Sequence, residues 1–403
     1  MGSLARSGTP DEQTLVSRLL FVTNDFPTRR GGIESFVLAL CRELDPDDVV
    51  VYTASMSGGL EYDAALTFPV YRDPSSKLLP LPAVGRRVEK VMGAHGCDRV
   101  VFGASAPLGL LGRRLRRAGA RRIVALTHGH EVWWARVPLT AALLRRIGDS
   151  VDVMTYVSRW CRDRIAPALS PEAAARMQPL SPGVDLKRFH PGAGGGEVRQ
   201  RLGIAHEAPV VVCTARLVRR KGQDTLLRAW PHVLAAVPGA RLLLVGDGPD
   251  RRRLERLARS CGVVSAVTFA GSVPWEEIPA YTDAGDVFAM PSRTRWFGLE
   301  AEAFGIVFLE ARACGLPVIA GDSGGAPEAL GETLGETLGE VEMAMLVDPS
   351  RGEEVAGAIV EALGRSRARE GTSAGAVLVG AASSWSAVGA RFREIVEGGS
   401  ERR

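Results

Sequence analysis

Short apolar, β-branched runs recur along the chain, with helix-compatible stretches between them. Residues 19–23 form the first run, followed by a Gly-rich turn and a helical pattern from about 34 to 44. Further runs fall at 49–52, 99–102, 123–127 and 152–157. Strands buried on both faces read as continuous rather than alternating apolar runs, so this pattern predicts a parallel sheet covered by helices on both sides. The rhythm breaks at SPGVDLKRFHPGAGGG (181–196), which is rich in Pro and Gly and has no period. It restarts with runs at 210–214, 241–245, 267–270, 287–290 and 317–320, and ends in an amphipathic helix at about 385–397. Two α/β domains are therefore expected, 1–185 and 186–403, with the last helix free to pack back on the first.

The length of 403 residues agrees with two cores rather than one. With 46% hydrophobic and 24% charged residues the composition is that of a soluble globular protein. No apolar run approaches the roughly 20 residues that span a bilayer. The polar start MGSLARSGTPDEQ lacks the apolar core of a signal peptide. Six scattered cysteines without a CxxC pair read as reduced thiols of a cytosolic protein, with neither a disulfide framework nor a zinc site. The net charge of +4 is uneven: residues 1–190 carry 26 Lys and Arg against 19 Asp and Glu, and the remainder 24 against 27. A basic first half suits an anionic partner, although solvated helix faces give the same count. The tandem repeat GETLGETLGE (331–340) reads as a neutral insertion.

Candidate chemistry lies just past the predicted strands, where open α/β sheets place their ligands. In FPTRRGGIESF (26–36), Gly31 and Gly32 let backbone approach a ligand at a helix start that favours phosphate; a plain tight turn is the alternative. ALTHGHEVWWA (125–135) holds His128 and His130, which would point to opposite sides of a continuing strand. Its spacing is not HExxH and no further ligand cluster accompanies it, so no metal site is expected. In TARLVRRKGQDTLL (214–227), Arg216 and Lys221 are placed to clamp a diphosphate, unless they are surface charges. VGDGPD (245–250) marks a strand end. In PSRTRWFGLEAEAFGIVFLEARACGLPVIAGDSGGAPE (291–328), a helix over 308–315 would set Glu310 near its start and Glu302 in the preceding loop. The amides of Phe304, Gly305 and Ile306 would then be free for anionic or polar groups. Two stretches, 76–92 and 108–122, mix Leu with Arg and suit an anionic membrane surface; the second also reads as a core helix, and prolines 80 and 82 make the first irregular.

Taken in order and spacing, these segments resemble the retaining GT-B glycosyltransferases of family four. The features that carry the resemblance are GGIE, TH at 127–128, SPGVD at 181–185, the Arg216-to-Lys221 spacing, GDGP at 246–249, and Glu302 seven residues before Glu310. HGHEVWW, PSRTR, EAFGIVFLEA and GDSGGAPE look most like mannosyltransferases that use GDP-mannose to build phosphatidylinositol mannosides. The resemblance implies two Rossmann-like domains facing a central cleft, and transfer of a hexose onto an acceptor hydroxyl. It implies His128, Arg216, Lys221 and Glu302 as catalytic residues. Gly31, Gly32, Arg216, Lys221, Glu302, Phe304, Gly305, Ile306 and Glu310 would bind the nucleotide-sugar donor, with Asp25 and His130 on the acceptor side. No metal, cofactor or nucleic acid is implied; an anionic lipid acceptor would place the protein at the inner face of the cell membrane. Charge building on a departing diphosphate is met by fixed cations. Retention in this family needs no pair of flanking carboxylates, unlike typical glycosidases. Trp133, Trp134 and Trp296 are bulky beside such a site and leave the acceptor open. A different nucleotide-sugar with a soluble acceptor, or a nucleotide-sugar-binding regulatory protein, are the alternatives.

Overall fold

The computed structural model describes residues 18–29, 31–331, 344–369 and 383–398. The polar start and nearly all of the 331–340 repeat lie outside these residues. Among the described residues, thirteen strands form two sheets. The first sheet contains β1 (Arg18–Thr23), β2 (Val49–Ala54), β3 (Val70–Asp73), β4 (Cys97–Phe102), β5 (Arg122–Ala125), β6 (Val153–Tyr156) and β7 (Met177–Pro179), in the order β3-β2-β1-β4-β5-β6-β7. The second contains β8 (Val210–Thr214), β9 (Arg241–Val245), β10 (Val267–Gly271), β11 (Val287–Met290), β12 (Val318–Gly321) and β13 (Ala344–Val347), in the order β10-β9-β8-β11-β12-β13. Every pairing is parallel. The central strands explain the continuous apolar runs: β2, β8 and β11 are buried at every position, since helices cover both faces.

The chain passes between the sheets twice, and the two passages touch. Val184 and Ser384 form a parallel bridge, in which the Val184 amide donates to Ser383 O at 2.8 Å. Gly183 permits this approach: a Cβ there would sit 2.8 Å from the Trp385 nitrogen. The helix Trp385–Glu397 then lies against the first sheet, with Phe392 5.8 Å from Phe21 and Trp385 5.7 Å from Phe36. Phe392, Ile395 and Val396 are buried in one cluster with Leu19, Phe21, Val49, Val51 and Val124. Arg122 donates from Nε and Nη2 to Ile395 O at 3.2 and 3.0 Å, satisfying a carbonyl in the last turn.

Several expectations need correction. The helix expected over 34–44 runs Gly32–Arg42, starting two residues earlier at the glycines. Pro82 does not disorder 76–92; it occupies the first turn of a regular helix, Pro82–Ala94, where its missing N–H costs nothing. The 108–122 stretch divides into a short 3-10 turn, Leu108–Leu111, and a helix, Gly112–Arg117. Leu108, Leu111 and Leu115 are buried there, while Arg114 and Arg116 pair with Glu89 and Asp152, so this stretch packs on the sheet rather than facing a bilayer.

Phe392→Ala should lower the unfolding free energy by about 3–5 kcal/mol, the usual cost of emptying a buried Phe site. Thermal or urea denaturation reads this directly. An unchanged midpoint would mean that the terminal helix does not hold the first sheet.

Candidate active site

The candidate residues lie past the carboxyl ends of strands, on loops or in the opening turns of the helices that follow, and the loops of the two sheets meet. In the first sheet the chain leaves β5 at Ala125 and turns immediately, so His128 and His130 do not alternate along a strand. Glu131, fully buried, organises this turn. Its carboxylate accepts from Ser105 Oγ at 2.9 Å and from the His128 amide at 3.0 Å, and lies 3.3 Å from His130 Nε2. His128 Nε2 donates to Gly103 O at 2.7 Å, and the ring stands edge-on to Phe36. Burial pushes the His128 imidazole below its ordinary range, so it is neutral near pH 7, and its Nδ1 is then an acceptor suited to a hydroxyl.

The glycine turn holds a carboxylate of its own. A Cβ at Gly31 would meet Glu34 Oε2 at 2.4 Å, and nothing lies within 4 Å of one at Gly32. Glu34 is buried, burial raises its carboxyl above the usual range, and Arg29 Nε is 3.0 Å away. In the ligand-free protein the helix start expected to favour a phosphate is therefore faced by Glu34. Asp25 adjoins it, 3.5 Å from Arg29 Nη1.

In the second sheet the candidate cations differ from one another. Arg216 is exposed and makes no side-chain hydrogen bond or ion pair among the described residues. Lys221 is not free: its Nζ lies 2.5 Å from Glu302 Oε2, with both side chains largely buried. Phe304 and Gly305 are buried, and Gly305 adopts φ 96° to open the helix Ile306–Ala313. That helix starts earlier than expected, so Glu310 sits in its second turn. Burial raises the Glu310 carboxyl to about 7, partly offset by Arg188. Arg188 itself stacks 3.3 Å over the Trp275 ring and donates to Trp275 O at 2.7 Å.

The loops of the two sheets close on each other. Gly129 has φ 97°, and a Cβ there would be 2.7 Å from Ala303 Cβ, so only glycine lets the histidine turn reach the Glu302 loop. Ser158 caps the helix Arg159–Ile165 by accepting from the Cys161 amide, and its hydroxyl donates to Ala303 O at 2.7 Å. Glu328 accepts from the Arg159 and Trp160 amides at 2.7 and 3.0 Å. Each charge-assisted bond of this kind contributes about 1.5–3 kcal/mol. The structure thus brings the His128 turn against the Glu302 loop, while Arg216 and Glu310 touch no other candidate side chain among the described residues.

The Glycosyltransferase Family 4 domain matches residues 30–188, and the Glycosyl transferases group 1 domain matches residues 196–373. A GDP-mannose-dependent alpha-(1-6)-phosphatidylinositol monomannoside mannosyltransferase of Mycolicibacterium smegmatis is 50% identical over 317 residues, covering 77% of this chain and 82% of that protein. The protein of the same name in Mycobacterium tuberculosis is 44% identical over 396 residues, covering 96% of this chain and 100% of its own. The chain belongs to the GT-B glycosyltransferases of family four. Among solved structures, Anabaena HepE with UDP and glucose superposes with a TM-score of 0.76 at 20% identity, over 94% of this chain and 99% of that one, which fixes the shared fold.

Within this glycosyltransferase, sequence reasoning overlooked Glu131, Glu328 and Arg188. Glu131 and Glu328 stand inside segments already singled out, HGHE and GGAPE. Their signal was a carboxylate one or two residues from a glycine turn, where backbone amides need acceptors. Arg188 carried no such signal, because its partners Trp275 and Glu310 are remote in sequence.

The raised Glu310 carboxyl has a measurable consequence. The folded protein keeps its proton up to about 7, whereas the unfolded chain loses it near its ordinary 4.5. Folding stability of the ligand-free enzyme therefore falls as pH rises through that window. Glu310→Gln should flatten the decline in melting temperature between about pH 5 and about pH 8. A variant that tracks the native protein would place the effect elsewhere.

Proposed function

We propose that this glycosyltransferase is a retaining α-mannosyltransferase that moves mannose from GDP-mannose to a hydroxyl of a phosphatidylinositol mannoside lipid. The observation that carries this reading is the 44% identity to the M. tuberculosis mannosyltransferase along 96% of this chain. The site geometry supports it. Arg216, exposed at the end of β8, is available to a diphosphate, and Lys221 reaches the same group by sharing Glu302. Glu310, once ionised, accepts hydrogen bonds from the ribose hydroxyls. The neutral His128 presents Nδ1 to a sugar hydroxyl.

In this reading the bond from the anomeric carbon to the diphosphate oxygen breaks, and its electron pair leaves with GDP. The acceptor oxygen forms the new bond on the same face, and its proton passes to the departing phosphate. Arg216 and Lys221 stabilise the charge that develops there. No protein base is required. A lipid acceptor places the enzyme at the inner face of the membrane as a peripheral protein. None of the described helices is long and apolar enough to cross a bilayer.

Labelled GDP-mannose incubated with a short-chain phosphatidylinositol mannoside should yield mannosylated lipid with the α configuration, and UDP-glucose should not substitute. Turnover with UDP-glucose alone would overturn the donor assignment. Lys221→Ala should lower turnover on the order of a hundredfold, as losing one preorganised transition-state donor does; normal activity would remove Lys221 from the mechanism. Because protein cations serve the diphosphate in this scheme, activity should persist in EDTA. Loss restored by magnesium or manganese would show that a metal takes part.

A further inference from the structure

Exposed apolar side chains gather where the two domains meet. Trp133, three residues past His130, is 44% exposed, and Trp296 and Phe297, shortly before Glu302, are 58% and 94% exposed. The Trp133 and Trp296 rings lie 6.5 Å apart, nearly perpendicular, so one patch spans both domains. Val137 and Leu139, on the next turn after Trp133, are exposed as well.

The patch is built rather than incidental. Trp296 and Phe297 both adopt left-handed backbone, with φ 50° and 55°, which bulky residues rarely enter. Their turn is clamped at its base: the Arg295 amide donates to Glu300 O at 2.7 Å, the Glu300 amide donates back to Arg295 O at 3.2 Å, and Arg295 Nη1 pairs with Glu300 Oε2 at 2.5 Å. The turn holds the two rings outward.

Two arginines beside it, Arg136 and Arg164, lack a matching carboxylate among the described residues. At Gly298, a Cβ would lie 3.3 Å from Arg136 Nη2 and 3.9 Å from Arg164 Nε. Neither arginine has an ion-pair partner among the described residues. Arg164 stacks over Trp160 at 4.0 Å and Arg295 over Trp296 at 4.9 Å. Tryptophan and phenylalanine beside unpaired arginines match the boundary of an anionic bilayer, where rings enter the headgroup layer and guanidinium groups meet phosphate.

We propose that Trp133, Trp296 and Phe297, with Arg136 and Arg164, form the surface by which this enzyme rests on an anionic lipid bilayer. The proposal depends on the lipid-acceptor reading above and adds where the lipid enters. A lipid acceptor must keep its acyl chains in the membrane while its sugar headgroup reaches the cleft. A bilayer-facing surface must therefore adjoin the cleft mouth, and this patch lies between the His128 turn and the Glu302 loop. The arginine-rich stretch 108–122 does not serve, because its leucines are buried in the core.

The test is flotation of the full chain with vesicles of phosphatidylcholine and phosphatidylglycerol in equal parts, against phosphatidylcholine alone. The native protein should bind the mixed vesicles more strongly. Trp296→Ser with Phe297→Ser should weaken that binding roughly tenfold or more, as apolar insertion is lost. Arg136→Gln with Arg164→Gln should weaken binding to the anionic vesicles only and reduce its salt dependence. All variants should retain turnover of GDP-mannose with a deacylated, water-soluble acceptor, which shows that they fold. Variants that float like the native protein, or a native protein that transfers mannose but binds neither vesicle, overturn the surface while leaving the function intact. Failure to turn over GDP-mannose with any acceptor overturns the functional reading instead, whatever the flotation shows.

Discussion

Val184 and Ser384 pair backbone to backbone where the chain passes between its two sheets, and that pairing ties the two domains to each other. Two passages that touch restrict the sheets far more than one flexible linker would. Gly183 makes the contact possible, because any side chain there would collide with the Trp385 backbone. Beyond the crossing, polar bonds join the loops alongside the apolar contacts between them. Glu328 takes the free amides at the start of the Arg159–Ile165 helix, and Ser158 reaches Ala303 O. Bonds of this kind can be given up to water at modest net cost, so they suit a contact that must open to admit a substrate.

The charge balance of the site is less generous than its arginine and lysine content suggests. Lys221 is already matched by Glu302, and the amide-rich start of the Gly32–Arg42 helix is faced by Glu34. Arg216 alone presents an uncompensated charge among the candidate residues. Burial raises the Glu310 carboxyl to about 7, so it is only partly ionised near neutral pH. The candidate residues are therefore nearly balanced in charge.

The central strands were legible because they are buried on both faces, so each appears as an unbroken apolar run. The strands that escaped are at sheet edges. β3 reads VYRD and β7 reads MQP, too short and too polar to stand out, and β13 follows residues outside the described chain. The site was legible in its identities more than in its pairings. Gly31, His128, Lys221, Glu302 and Glu310 each follow a strand, which sequence shows. That Lys221 bonds Glu302 across 81 residues depends on β8 and β11 lying side by side in the second sheet, and that Arg188 approaches Glu310 depends on how the linker packs on that domain; no local pattern encodes either. The family-four resemblance carried what periodicity alone could not: it tied the scattered motifs to one cleft.

The terminal helix Trp385–Glu397 belongs to the first sheet by contact but to the end of the chain by sequence. During synthesis, Leu19, Phe21, Val49, Val51 and Val124 leave the ribosome long before Phe392 and Ile395 exist to cover them. The Gly32–Arg42 helix covers part of this face early, but the part under Phe392 and Ile395 stays open while the entire second domain is made. The N-terminal half therefore completes its core only when the C-terminal helix arrives, and until then leaves apolar surface open to the cell.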